Sequence, residues 1–267
     1  MGHIACVSNY KGGTGKTTSV VNIAAALAIR KKKVLIIDND PQSDSTKAVL
    51  QRDSRIGFNL YHLLDLEAPA RPKASECVYS TIHDNLFIIP NITETSGLEI
   101  PLAKQHPESN FVLRDAVRDF AIKHFDYTLI DCPPTLSIFV SNAMFASDFV
   151  IIPMDAGSGN SMDGVSGVLK LIDSVNEDAE HKLRFLRILI NKIDKRKSSH
   201  KGVITILKDK FGESSIFKET IPTSSVFEEV ELLKSASVFS HAARSKGAMA
   251  FRSVASEIIS IFDSLEK

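Results

Sequence analysis

Hydrophobic positions along this 267-residue chain alternate between two textures. Short, nearly continuous apolar runs occur at 3–8, 33–38, 85–90, 127–131, 149–153 and 186–191, rich in Val, Ile, Leu and Phe. Runs of that kind, lacking a polar face, predict strands covered on both sides. Between them, apolar residues recur every three or four positions, which predicts helices over 17–30, 97–104, 110–124, 136–146, 161–175 and 199–210. A short strand is expected at 217–222 and two more helices at 224–233 and 245–265. Alternating strand and helix predict an α/β fold: a doubly wound, mostly parallel sheet with helices on both faces. No internal repeat, low-complexity tract or linker divides the chain, so residues 1–267 are expected to form a single domain. The stretch 52–81, with Pro69 and Pro72, is the least regular and is expected to be a surface excursion.

In such sheets ligands gather beyond the carboxyl ends of the strands. That rule singles out Ser8 with the loop after it, Asp38, Asp40, Asp131, Asp155 and Asn191. Residues 11–18 read Lys-Gly-Gly-Thr-Gly-Lys-Thr-Thr, between the first strand and the first helix. Gly12, Gly13 and Gly15 let successive backbone N–H groups face an anion, while Lys16 and Thr17 supply the cation and hydroxyl of a phosphate-binding loop. Phosphates would then sit at a helix N-terminus, where the dipole favours negative charge. The first glycine of the usual pattern is missing. Asn9-Tyr10-Lys11 stands in its place, so the loop carries a second lysine.

Thr17 and Asp131 suit a shared Mg2+, the hydroxyl binding the ion and the strand-end carboxylate standing beside it. Asp38-Asn-Asp-Pro-Gln42 closes the neighbouring strand, and one of its carboxylates is suited to hold an attacking water while the other supports the hydration shell of the ion. Asn191-Lys-Ile-Asp194 matches the base-reading signature of many GTPases, which leaves guanine open beside adenine.

Charge and cysteine content narrow the setting. Lys plus Arg equals Asp plus Glu at 32 each, so any surface for nucleic acid or membrane has to be a local patch. Cys6, Cys77 and Cys132 are widely spaced and odd in number, which fits buried thiols in a reducing cytoplasm. No apolar run reaches the roughly 18 residues of a membrane span, and the chain opens directly on a strand, so neither a signal peptide nor a membrane anchor is expected.

Taken together, residues 11–18, Asp38-Asn-Asp-Pro-Gln42 and Leu129-Ile-Asp-Cys-Pro-Pro134 resemble the deviant Walker ATPases, most closely the ParA/Soj partition proteins. The likeness covers nearly the whole chain and extends to Asn191-Lys-Ile-Asp194 and Arg244-Ser-Lys-Gly-Ala-Met-Ala-Phe251. It implies an enzyme that hydrolyses ATP with Mg2+ and forms a homodimer around sandwiched ATP. Lys11 would reach the phosphates held by the other subunit, Lys16 the β- and γ-phosphates in cis, and Thr18 the α-phosphate. Gly12, Gly13, Thr14 and Gly15 would line the phosphates. Thr17, Asp38 and Asp131 would support Mg2+, and Asp40 would position the water, making Lys11, Lys16 and Asp40 the catalytic set. Asn191 would face adenine, with backbone near Pro222 enclosing the base. Hydrolysis would be slow, stimulated by a ParB-like activator, and would end the dimer state.

The resemblance also bears on partners. Between residues 182 and 218 there are eleven Lys or Arg against three acids. Family members bind DNA without sequence preference as ATP dimers, through basic residues in this region, which points to Lys195, Arg196, Lys197 and Lys201, with Arg244 and Lys246 extending the patch. A cytoplasmic, nucleoid-associated protein is implied, moving a plasmid, a chromosome origin or a protein cluster. The competing reading is a MinD-like membrane ATPase, whose C-terminal amphipathic helix lies on the bilayer. The stripe of Phe251, Val254, Ala255, Ile258, Ile259, Phe262 and Leu265 is better explained by packing on the sheet, so no membrane partner is expected. With no room before His3 for a helix-turn-helix, operator-specific repression is not expected either. Two places depart from the family text: Asp44, where an amide is usual and where a solvated helix-start residue is expected, and 155–162, whose small residues replace an aromatic pair.

Overall fold

The computed structural model describes residues 2–51, 53–158, 161–178, 181–232 and 237–265. Its strands are β1 (His3–Val7), β2 (Val34–Asp38), β3 (Tyr79–Ser80), β4 (Leu86–Ile89), β5 (Tyr127–Asp131), β6 (Phe149–Asp155) and β7 (Arg184–Asn191). They form one sheet in the order β3-β4-β2-β5-β1-β6-β7, parallel throughout except for the β3–β4 pair. The helices are α1 (Lys16–Ile29), α2 (Asp44–Val49), α3 (Leu60–Leu64), α4 (Glu99–Lys104), α5 (Val112–His124), α6 (Ile138–Ala146), α7 (Ser161–Asp178), α8 (Ser198–Phe211), α9 (Ser225–Leu232), α10 (Val238–Ala242) and α11 (Lys246–Leu265).

Alternation along each strand splits the core into two layers. Ile4 and Cys6 of β1, with Leu35 and Ile37 of β2, face a cluster containing α3 to α8; Ala5 and Val7, with Val34 and Ile36, face α1, α9, α10 and α11. Strands buried on both faces have no polar side, which is why they read as continuous apolar runs. The apolar stripe of α11 goes into this second layer: Phe251, Val254, Ala255, Ile258 and Phe262 are buried against α1 and the sheet. No described helix is long and apolar enough to cross a membrane.

Register brings the chemistry together. Val7 pairs with Asp131, and Asp38 pairs with the same Asp131, so two carboxylates and the start of the glycine loop share one level at the carboxyl edge. Asp155 is likewise level with Asn191.

The expected strand at 217–222 is not formed as such. Phe217 N and Ile221 N donate to the carbonyls of Ile188 and Ile190 on β7 at 3.0 and 2.9 Å, leaving isolated bridges. Between them Lys218 N donates to the Glu257 carboxylate at 3.0 Å, and Pro222 has no N–H to give, so the ladder is interrupted. The excursion after residue 52 contains α3, whose capping box joins Asn59 and His62 and whose Leu60, Leu63 and Leu64 are buried.

Candidate functional site

The loop after β1 is built on buried polar contacts. Asn9 is fully buried; its Nδ2 donates to the Pro153 carbonyl at 2.8 Å and its Oδ1 accepts the Lys11 N–H at 3.0 Å. Gly164 on α7 leaves room for it, since a Cβ there would stand 2.6 Å from Asn9 Oδ1. Tyr10 lies along the same helix, its hydroxyl donating to the Asp163 carbonyl at 2.7 Å and its ring filling the space over Gly167. Asn9 and Tyr10 therefore replace the usual first glycine with an anchor into α7.

Gly12 and Gly13 form the exposed crest of the loop. Gly13 and Gly15 have φ of +74° and +84°, left-handed values that favour glycine. Gly15 is constrained twice, because a Cβ there would also stand 2.8 Å from Asn191 Nδ2. It begins α1 without a side-chain cap, and no acidic residue lies in the first turn, so the N-terminal N–H groups and dipole are left for an anion.

Lys16 and Lys11 take different positions. Lys16 is buried, with Nζ donating to the Lys11 carbonyl at 3.2 Å; burial lowers its pKa, and the nearby Asp131 and Asp40 carboxylates oppose that shift. Lys11 turns away toward the β6–α7 loop, where its Nζ donates to the Ser158 hydroxyl. Thr14 is buried behind the loop, Thr17 is half-buried, and Thr18 is exposed in the first turn of α1.

Asp38 and Asp131 are both fully buried. Asp38 Oδ2 accepts from Thr46 N at 2.7 Å and from the Thr46 hydroxyl at 2.6 Å. Asp131 Oδ2 accepts from the Ser45 hydroxyl at 2.7 Å, while Oδ1 is buried with no partner of hydrogen-bonding geometry. Burial raises both carboxyl pKa values, the Asp131 charge adds to the shift at Asp38, and the Ser45 and Thr17 hydroxyls favour the ionised form of Asp131. A buried carboxylate oxygen without a donor, beside the Thr17 hydroxyl, fits a hard divalent cation with oxygen ligands. Asp40 is half-buried and its pKa is raised by burial, opposed by the Gln42 N–H that Oδ1 accepts at 2.9 Å. Asp44 is solvated at the start of α2 and pairs with Lys47 at 3.0 Å, as expected of a helix-start residue.

At the end of β7, Asn191 Nδ2 donates to the Thr14 carbonyl at 2.8 Å and to the Ser19 hydroxyl at 3.2 Å, leaving its buried Oδ1 without a partner. Lys192, at φ +57°, donates to the Gly13 carbonyl at 2.8 Å and lies 3.3 Å from Asp155. Pro222 bridges to Ile193 alongside. The Asp194 carboxylate is taken by Arg196: Oδ1 accepts from Nε and Oδ2 from Nη2, both at 2.9 Å.

Lys195, Lys197 and Lys201 are exposed where β7 passes into α8, as is Arg196. Arg244 and Lys246 are exposed as well, but they lead into α11. α8 packs on one face of the sheet and α11 on the other, so the basic residues fall into two groups in different layers. The sequence had not singled out Asn9, Ser45, Thr46, Ser158 or Lys192 as functional residues. Asn9 and Ser158 were visible only as polar residues just beyond strand ends and Lys192 only as part of Asn191-Lys-Ile-Asp194, while Ser45 and Thr46, inside α2, carried no signal.

A glycine loop hung between a central parallel strand and a helix N-terminus, with buried carboxylates on adjoining strands, is the arrangement of a P-loop nucleoside triphosphatase. Known proteins narrow that class. The AAA_31 family model, an AAA domain, matches residues 2–185. The chain is 32% identical over 222 residues to the chromosome partitioning protein ParA of Myxococcus xanthus, covering 83% of this chain and 76% of that protein. It is 32% identical over 255 residues to the chromosome-partitioning ATPase Soj of Thermus thermophilus, covering 95% and 94%. Among solved structures, cobyrinic acid a,c-diamide synthase from Mycobacterium smegmatis with bound ATP analogue and magnesium superposes with a TM-score of 0.82 at 25% identity, covering 99% of this chain and 97% of that one. The chain belongs to the ParA/Soj family of chromosome-partitioning ATPases.

Proposed function

We propose that this protein is an ATP-switched DNA-partition ATPase, with residues 1–267 as one ATPase domain. It hydrolyses ATP with Mg2+, dimerises around the nucleotide, binds DNA without sequence preference in the ATP state, and is released when a ParB-like activator stimulates slow hydrolysis. The observation that carries this reading is the different placement of the two loop lysines: Lys16 is buried within its own phosphate loop, whereas Lys11 turns out to Ser158. A lysine directed out of its own phosphate site supports a role on another subunit's phosphates.

Within each subunit, the N–H groups of Gly12 to Thr17 and the Lys16 ammonium would hold the phosphates, and Thr18 the α-phosphate. Thr17 and Asp131 would hold Mg2+, with Asp38 supporting that position through the α2 segment it anchors at Thr46. When bound, Mg2+ neutralises charge on the β- and γ-phosphate oxygens. Asp40, half-buried, with its N–H donating to Asp38 Oδ1 at 3.4 Å and its own Oδ1 accepting from Gln42 N at 2.9 Å, is the group for positioning the attacking water. Adenine would lie against Asn191 and Pro222. The paired state of Asp194 supports adenine over guanine, because Arg196 already engages both carboxylate oxygens that a guanine amine would use.

DNA contact is assigned to Lys195, Arg196, Lys197 and Lys201 at the start of α8, with Arg244 and Lys246 as a separate group. Nucleoid association would follow from that contact, and the cargo would be a plasmid, a chromosome or a protein cluster. Packing of the α11 stripe onto α1 supports this reading over a MinD-like membrane ATPase. Light scattering after size-exclusion chromatography tests the switch. ATP with Mg2+ should convert the protein from monomer to dimer and ADP should not; one unchanging mass in every nucleotide would remove the proposal.

A further inference from the structure

A cavity of about 290 Å3 lies between the β6–α7 loop and the N-terminus of α8, outside the phosphate loop. Met154, Met162 and Val203 form its apolar side, and Ser158, Lys197 and His200 its polar side; none of its described lining residues is acidic. α8 is 14 residues long and starts with Lys197 at the N-cap, with no side-chain cap and no acidic residue in its first turn. A cation at the positive end of a helix dipole is an unfavourable placement that a bound anion would offset.

His200 is the second, independent observation. It is only 5% exposed, and its Nδ1 accepts the Asp194 N–H at 3.0 Å, which puts the hydrogen of the neutral ring on Nε2. Among the described residues Nε2 has no hydrogen-bond partner, and it lies 3.8 Å from where a Cβ of Gly157, another lining residue, would stand. An unpaired donor on a mostly buried side chain therefore faces a cavity that also presents an ammonium group and an uncapped helix end.

We propose that this cavity binds one anionic group, a carboxylate or a phosphate, carried on a short apolar stem. The anion meets His200 Nε2, Lys197 and the first turn of α8, and the stem lies against Met154, Met162 and Val203. Ser158 lines the same cavity and accepts from Lys11 Nζ, and its own O–H can donate to a bound anion, so Ser158 couples the cavity to Lys11. The regulatory meaning of that coupling rests on the proposed role of Lys11, but the binding itself does not.

Methyl-13C methionine and ε-13C lysine labelling of the full chain, without nucleotide, tests the site by NMR. Met154 and Met162 report the cavity, and Met144 and Met249, in the core of α6 and on the surface of α11, serve as controls. Titration with hexanoate or hexyl phosphate should shift Met154 and Met162 saturably, with the controls still. Lys11 should shift in parallel in the wild type and not in Ser158→Ala. Hexanamide should bind at least roughly tenfold more weakly than the better anion, and Lys197→Glu should abolish anion binding. Which anion saturates separates a carboxylate ligand from a phosphate ligand. Equal binding of hexanamide, no saturable shift with either anion, or unchanged binding in Lys197→Glu would overturn the proposal. So would shifts at Met154 and Met162 caused by duplex DNA while both hexyl anions are inert.

Discussion

Asn191 and Thr14, 177 residues apart in sequence, are joined by a 2.8 Å hydrogen bond from the side-chain amide to the loop carbonyl. Lys192 holds the preceding carbonyl, that of Gly13, also at 2.8 Å. In a trans peptide the N–H points opposite to the C=O. Consecutive residues at the end of β7 thus hold two consecutive carbonyls and turn the N–H groups of Thr14 and Gly15 away from β7, toward the side where phosphates would bind. Asn191→Ala removes one of these holds and is expected to weaken ATP binding by about 1–3 kcal/mol, the usual cost of leaving a buried partner unsatisfied. Isothermal titration with a nonhydrolysable ATP analogue measures this, and an unchanged affinity would mean that the loop holds its shape without β7.

The buried carboxyl pair sets a pH dependence. Asp38 and Asp131 titrate above the ordinary carboxylate range because burial disfavours their charge. In the unfolded chain they ionise near pH 4, so above that pH the native state holds protons that the unfolded state has released, and stability falls as pH rises. His83 works in the opposite sense: burial lowers its pKa, so it costs stability only as pH falls below about 6.5. Between about pH 6.5 and about pH 8.5 the nucleotide-free protein should therefore melt at progressively lower temperature. Mg2+ with ATP favours the ionised carboxylates and should flatten that slope. A thermal-melt series with and without Mg2+ and ATP measures it, and a nucleotide-free melting point rising across this range would contradict the assignment.

Much of this architecture was legible in the sequence for identifiable reasons. β1, β2 and β5 stand out because both faces are buried, and α11 because its stripe from Phe251 to Leu265 keeps helical spacing over about four turns. The short elements β3, α2, α3 and α10 were not legible, since two to six residues carry too little periodicity and depend on contacts such as the Asn59–His62 capping box. The segment 217–222 was read as a strand from its composition, but Glu257 captures one of its N–H groups. At the site, Gly13, Gly15 and Lys16 announce themselves by motif. Lys192 lies in the Asn191-Lys-Ile-Asp194 signature without revealing its hold on Gly13, and Ser45 and Thr46 belong to no motif, because the partners of all three are set by the register of the sheet and the path of the loops.

Base selectivity is expected to depend on a surface residue. Arg196 is exposed, yet it occupies both oxygens of Asp194. Arg196→Ala frees that carboxylate and should raise GTP affinity relative to ATP, by roughly fivefold for one added charge-assisted hydrogen bond. Competition binding against a fluorescent ATP analogue reads the ratio. No change in the ratio would show that Asp194 does not face the base.

The two lysines should separate binding from assembly. Lys16→Ala is expected to lose nucleotide affinity outright, since it removes the buried cation of the loop. Lys11→Ala should keep much of the cis affinity and lose ATP-dependent dimerisation, while Asp40→Ala should give an ATP dimer that persists. Nucleotide titration combined with analytical ultracentrifugation distinguishes these outcomes, and equal loss of ATP affinity in Lys11→Ala and Lys16→Ala would end the assignment of Lys11 to the other subunit.

Co-sedimentation with nonspecific DNA and with lipid vesicles, in ATP, ADP or GTP, tests the central claim most directly. The expected result is a dimer that pellets with DNA in ATP alone, is released as salt rises, and stays off the vesicles. Equal retention on DNA in ADP and ATP, or ATP-dependent binding to vesicles in place of DNA, would contradict it.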